Sequence, residues 1–102
     1  MQDRRRSPRK PLNVDVEYET AGTRAVARLS NVGSLGVFIE GASHLPVGAH
    51  LKLRFALGEG VVVEVEGVVA HRQTGVGVGV AFIAVGAEAA KRIGEYVEGG
   101  AA

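Results

Sequence analysis

Apolar and polar residues alternate along most of the chain, and this two-residue period predicts β-strands. Near the start, Val14, Val16 and Tyr18 alternate with polar residues. The same alternation predicts strands over residues 13–19, 24–30, 37–40, 51–57, 61–70 and 76–82. Only residues 87–97 differ, because their apolar side chains recur at three- and four-residue spacing, which predicts an amphipathic helix.

Short strands separated by turns rich in glycine, proline and asparagine are typical of antiparallel sandwiches and barrels. A chain of 102 residues has room for one hydrophobic core. At this size we expect a closed barrel, because closure removes exposed strand edges. The predicted fold is therefore mostly β, a six-stranded antiparallel barrel with a C-terminal α-helix that covers one end.

The charge of the chain is concentrated at its N-terminus. The net charge is +1, yet residues 1–10 carry five basic side chains against one acidic side chain, a charge of +4. Pro8 and Pro11 exclude a helix there. We expect a flexible basic arm over residues 1–11, a barrel domain with its helix over 12–98, and a disordered tail over 99–102.

Several classes of function are disfavoured by the composition. The chain has no cysteine, which excludes disulfides, thiolate metal sites and thiol nucleophiles. His44, His50 and His71 lack acidic residues at metal-ligand spacing and are interpreted as surface loop histidines. No apolar run approaches 18 residues, so membrane insertion is not expected. We expect a cytoplasmic protein that is not an enzyme and needs no metal or cofactor.

The glycines at positions 75, 77 and 79 superficially resemble a phosphate-binding loop. That motif requires a strand before it and a helix N-terminus after it, whereas these glycines alternate within a predicted strand. We interpret them as a bare sheet face against which the helix or the arm lies. Such a face would also admit a flat ligand ring.

Two segments remain as candidates for ligand binding. Arg5 and Arg9 have an R-x-x-x-R spacing and, in an extended arm, lie roughly 13 Å apart, which suits gripping a ligand from two sides. Guanidinium groups bind phosphate or a guanine edge with two parallel hydrogen bonds. The second segment is Asn31–Gly36, where Asn31 offers both a donor and an acceptor at a strand end.

These two segments, in this order and about 22 residues apart, resemble the PilZ domain family, with its R-x-x-x-R and D/N-x-S-x-x-G motifs. The resemblance covers essentially the whole chain and includes the segment Gly77–Phe82 near the end. It implies a six-stranded PilZ-like split barrel and a receptor for the bacterial second messenger cyclic di-GMP. It also implies that Arg5 and Arg9 contact guanine edges and phosphates, that Asn31 meets a guanine, and that Gly36 closes the motif.

One motif position departs from the family. Gly33 stands where the family has serine, and Ser34 follows one residue out of register. A lost hydrogen bond to an anionic group is worth about 1.5–3 kcal/mol, or roughly 10- to 100-fold in affinity. The change either weakens the site or marks a member that does not bind. Arg4 and Arg6 add charge that would partly compensate or favour a self-stacked ligand dimer.

Three functional hypotheses follow. The first is a cyclic di-GMP receptor whose arginine arm becomes ordered on ligand binding and which signals to an unidentified protein effector. The second is a degenerate adaptor of the same fold that binds proteins but no nucleotide. The third, a nucleic-acid binder, is disfavoured because the rest of the chain is acidic and has few aromatic residues for stacking.

Overall fold

The computed structural model describes residues 9–58 and 60–99, and within them the alternating segments form six strands. The strands are β1 Arg9–Thr20, β2 Thr23–Gly33, β3 Gly36–Glu40, β4 His50–Ala56, β5 Val62–Gln73 and β6 Gly77–Val85.

The strands close into a barrel in the order β1-β2-β3-β6-β5-β4, and each neighbouring pair is antiparallel. The barrel closes where β1 pairs with β4, with Val16 opposite Phe55. The predicted six-stranded antiparallel barrel is thus confirmed. Because every strand has two neighbours, the described strands leave little free edge for pairing with another chain.

Alternate side chains of the strands fill the interior of the barrel. Val16, Leu29, Ile39, Leu51 and Val78 are completely inaccessible to solvent, and burial of each such side chain contributes about 1.5–3 kcal/mol. None of the buried side chains in the described residues is polar or charged. The interior is therefore packed core, and a ligand for the described part of the chain must bind on the outer surface.

The C-terminal helix is also confirmed. It comprises α1, Ala87–Gly94, and a π-helical turn over Glu95–Gly99. Ile93 and Val97 are buried in the same core as the strand side chains. Because they are spaced four residues apart, both lie on the helix face that packs against the barrel.

β1 begins earlier than the alternation predicts. The structure places Arg9, Lys10 and Pro11 in β1, although the sequence analysis assigned them to the arm. The pairing of β1 with β2 shifts register between Pro11 and Val14. Proline is tolerated at such an irregularity because a ladder hydrogen bond is already missing there. Arg9 is therefore held on the barrel.

β2 and β5 also extend beyond their predicted ends. β2 includes Asn31 and Gly33, so the predicted turn at 31–36 shrinks to Ser34 and Leu35. β5 continues to Gln73, so residues 71–73 belong to a strand rather than to a turn. Turn-forming residue types predicted these ends wrongly, because backbone pairing with the adjacent strands overrides local preference.

The remaining residues of the predicted arm, 1–8, and residues 100–102 of the predicted tail lie outside the described residues, so their predicted flexibility stays a prediction. Gly99, predicted to belong to the tail, is the last residue of the π-helical turn. No helix within residues 9–58 and 60–99 has the length and apolar character needed to cross a membrane.

Candidate ligand-binding site

The structure brings together two of the residues that the sequence motifs single out. In the β1–β2 ladder, Arg9 lies opposite Gly33 and Pro11 lies opposite Asn31. Across this ladder, Nε of Arg9 donates a hydrogen bond to Oδ1 of Asn31 at 2.8 Å. The two motifs therefore meet on adjacent strands, and the bond fixes the direction of the guanidinium group.

Arg9 carries a positive charge that no described carboxylate neutralises. Burial lowers the pKa of Arg9, because protein atoms displace part of its hydration even though the side chain remains accessible at the surface. Arginine nevertheless remains charged at any physiological pH. In the described part of the chain its partner is the neutral amide of Asn31, and no ion pair includes it. Such a charge favours an anion or an acceptor-rich ring edge.

The turn between β2 and β3 lies directly beside this pair. Gly33 is buried opposite Arg9, and Ser34 is exposed at the bend. Gly36 is required by packing, since a Cβ there would run into the backbone carbonyl oxygen of Val80 on β6. Gly36 therefore allows β3 to approach β6 closely, a role that the ligand-binding motif does not predict.

The glycine-rich segment of β6 was expected to form a bare sheet face, but other side chains cover it. A Cβ at Gly77 would lie 2.9 Å from Cε2 of Phe38, and a Cβ at Gly79 would meet the imidazole ring of His71. We call this outer surface, formed by Phe38, Gly77, Gly79 and His71, the glycine face. Two aromatic side chains cover the glycines, and the expected contact is made by rings rather than by the helix.

The C-terminal helical segment anchors the start of β1. The hydroxyl group of Tyr96 donates a hydrogen bond to the carbonyl oxygen of Pro11 at 3.0 Å. Nζ of Lys10 lies 5.5 Å from the centroid of the Tyr96 ring, within cation–π distance. These contacts hold Lys10 and Pro11 of β1 in place, within two residues of Arg9. Neither contact was predicted, because helical spacing marks Tyr96 only as a core-facing residue.

A second surface feature lies on a different part of the barrel. The outer side chains Glu17, Arg54, Glu64 and Glu66 of β1, β4 and β5 form what we call the charged face. Arg54 donates from Nε to Oε2 of Glu64 at 3.1 Å, and its Nη1 lies 3.9 Å from Oε1 of Glu17. These residues line a broad, open depression of about 1020 Å³. Arg54 is already paired with two of these carboxylates, so it offers little charge to an anionic ligand.

Two of the three histidines lie in strands rather than in the predicted loops. His44 lies in a loop, whereas His50 opens β4 and His71 lies within β5. Nε2 of His50 lies 3.3 Å from Oε1 of Glu66, an ion pair when the imidazole is protonated. Among the described residues, no three histidine or acidic side chains cluster closely enough to hold a metal ion.

Arg4, Arg5 and Arg6 were predicted to contribute to the site, and they lie outside the described residues. Of the predicted ligand-binding residues, the structure describes Arg9, Asn31, Gly33, Ser34 and Gly36. All five lie at the start of β1 or around the β2–β3 connection.

Among known protein families, the model of the PilZ domain matches residues 3–99 of this chain. Comparison with the curated proteins gave no match.

Solved structures with the same fold include the Bacillus subtilis inhibitor of motility, MotI/DgrA, with a TM-score of 0.79 and 19% identity over 94% of this chain. The PilZ domain of CeSA from a cellulose-synthesizing bacterium gives a TM-score of 0.69 at 15% identity, covering 92% of this chain and 98% of that one. Borreliella burgdorferi PlzA, solved in complex with c-di-GMP, gives 0.59 at 15% identity over 82% of this chain. This chain spans 50% of MotI/DgrA and 32% of PlzA.

Proposed function

Because the chain belongs to the PilZ domain family, a family of cyclic di-GMP receptors, we propose that it binds cyclic di-GMP at the surface formed by Arg9 and Asn31. PilZ domains are regulatory receptor and adaptor domains rather than enzymes. The observation that carries the proposal is the hydrogen bond between Arg9 and Asn31, which holds beside an amide a guanidinium that no carboxylate of the described residues neutralises.

The chemistry of this pair suits a guanine nucleotide. The Nε of Arg9 is used by Asn31, which leaves the terminal amino groups of the guanidinium to donate to a phosphate or to O6 and N7 of guanine. The amide of Asn31 retains its NH₂ group as a donor. Arg5 supplies the second guanidinium of the clamp, and Arg4 and Arg6 add positive charge for a second, stacked ligand molecule.

Ligand binding provides a signal through the N-terminal arm. Residues 1–8 become ordered across the barrel when their arginines contact the ligand, and the new surface recruits a protein effector. The domain works in the bacterial cytoplasm, and it needs neither a nucleic acid nor a membrane as a partner.

Calorimetry with cyclic di-GMP tests the proposal directly. Arg9→Ala and Arg5→Ala should each weaken binding at least tenfold, about 1.4 kcal/mol, because each removes a charge-assisted contact. Arg24→Ala is the matched control, since Arg24 is an exposed arginine at the opposite end of the β1–β2 ladder, and it should bind like the wild type. Micromolar binding that both arginine variants retain would rule the proposal out.

A second candidate function is an adaptor that binds proteins without nucleotide, and Gly33 favours it. Gly33 lies directly opposite Arg9 in the ladder and lacks the hydroxyl of the family's serine. Gly33→Ser should strengthen binding roughly 10- to 100-fold if the site is functional and merely weakened. The adaptor would give no heat with cyclic di-GMP in either form.

A further inference from the structure

A single row of paired residues leads from the Arg9–Asn31 pair across the barrel. Asn31 lies opposite Phe38, Phe38 lies opposite Gly79, and Gly79 lies opposite His71. Neighbouring strands are about 4.8 Å apart, so the row extends roughly 14 Å from Asn31 to His71. The residues beside this row in each strand, such as Val32, Val37 and Val80, point into the core. The row itself therefore faces outward.

The two rings of this row lie over glycines. The position of a Cβ at Gly79 is 2.6 Å from Nε2 and 2.8 Å from Nδ1 of His71, with Cε1 also in contact. Cε1 is the nearest atom and both ring nitrogens lie within 2.8 Å, so the face of the imidazole is turned toward the glycine. The ring centroids of Phe38 and His71 are 6.4 Å apart, and the ring planes are inclined by 31°.

This geometry produces a shallow aromatic surface. Glycine presents no side chain, so each ring can approach the backbone and turn its other face outward. His71 is exposed and Phe38 is half-buried. Base–aromatic stacking requires such a ring face and is worth about 1–3 kcal/mol per base.

We propose that Phe38 and His71 form a stacking platform for the second purine of the ligand, while Arg9 and Asn31 hold the first guanine and a phosphate. The inference rests on the proposed function and extends it, because a cyclic dinucleotide carries two bases on opposite sides of its phosphate ring. It makes His71 a binding residue outside both sequence motifs.

The competing explanation is that the rings only shield the glycine backbone from water. A shielding role predicts that loss of His71 lowers stability and leaves affinity unchanged. A platform predicts that loss of His71 lowers affinity more than stability, since the exposed ring face contacts the ligand only in the complex.

The experiment measures the dissociation constant of cyclic di-GMP by calorimetry, and the melting temperature without ligand, for matched histidine variants. His71→Ala should bind roughly 5- to 100-fold more weakly than the wild type. His71→Phe keeps an aromatic face and should bind within about threefold of the wild type. His44→Ala removes an exposed loop histidine and should bind like the wild type.

His71→Leu keeps the bulk over Gly79 without an aromatic face. It therefore distinguishes a stacking platform from a shielding role if His71→Ala does not fold. It should bind as weakly as His71→Ala is expected to. If His71→Leu binds like the wild type while Arg9→Ala is weakened, the platform is wrong and the proposed function stands. If the wild type gives no binding, both are wrong.

Discussion

The glycine face and the charged face are both outer surfaces of the same barrel, and the arginines beside them have different partners. Arg54 on the charged face lies between the carboxylates of Glu17 and Glu64. Arg9, which adjoins the glycine face, has the neutral amide of Asn31 as its described partner. An arginine neutralised by neighbours contributes a solvated surface, whereas a partly desolvated arginine without a carboxylate keeps its charge for a ligand.

The two faces also differ in how they are built. The charged face consists of side chains that extend into water above ordinary strand pairs, and it borders the depression of about 1020 Å³. The glycine face depends on close approach of backbone and rings, at Gly77 and Gly79. Cavity size alone would select the charged face as the site. The partly desolvated guanidinium of Arg9, hydrogen-bonded to Asn31, points instead to the other surface, and the comparison shows why volume is the weaker criterion here.

The largest effect should come from the close strand contact beside the ligand surface. Gly36→Ala places a methyl group against the carbonyl oxygen of Val80, and neither backbone segment can move without disturbing the β3–β6 ladder. We expect a loss of about 3 kcal/mol in the free energy of unfolding, measured by urea denaturation.

Gly94→Ala is the matched control for this substitution. A Cβ at Gly94 meets nothing within 4 Å, and alanine is the better helix former by about 0.5–1 kcal/mol. Gly94→Ala should therefore be neutral or stabilising. Equal destabilisation by the two substitutions would show that the close approach at Gly36 is not the cause.

An intermediate effect is expected where the helix holds the start of β1. Tyr96→Phe removes the hydrogen bond to the carbonyl oxygen of Pro11 and keeps the ring beside Lys10. It should lower the free energy of unfolding by about 0.5–1.5 kcal/mol. Tyr18→Phe is the control, because the Tyr18 hydroxyl makes no hydrogen bond within the described residues. If both variants unfold at the same urea concentration, the Tyr96 bond contributes nothing.

The fold was predictable because burial is periodic. The alternation of Val14, Val16 and Tyr18 with polar residues can be read from the sequence without knowing which strands are adjacent. The helix after residue 86 can be read in the same way, because the spacing of apolar residues changes there. The strand ends were not predictable in the same way. Residues 71–73 carry polar side chains that face water, so no apolar alternation marks them as strand, and only the register with β6 does.

The candidate site was predictable in part. The spacing of the two motifs identified Arg9 and Asn31 through a family resemblance, and strand pairing explains their contact. The rings of Phe38 and His71 were missed, because residues 33 positions apart in the sequence meet only through the order β3-β6-β5. The bond from Tyr96 to Pro11 spans 85 positions and depends on how the helix packs. Such contacts arise from tertiary structure and leave no local pattern.

The smallest effect is expected on the charged face, and it gives the sharpest test of the comparison. Arg54→Ala removes two ion pairs whose side chains are all more than half exposed. Solvent screening limits the loss in the free energy of unfolding to about 0–1 kcal/mol, and added salt should reduce it further. Affinity for cyclic di-GMP, measured by calorimetry beside Arg9→Ala, should not change. If Arg54→Ala instead weakens binding as much as Arg9→Ala does, the ligand uses the charged face, and neutralisation by neighbouring carboxylates does not prevent an arginine from binding it.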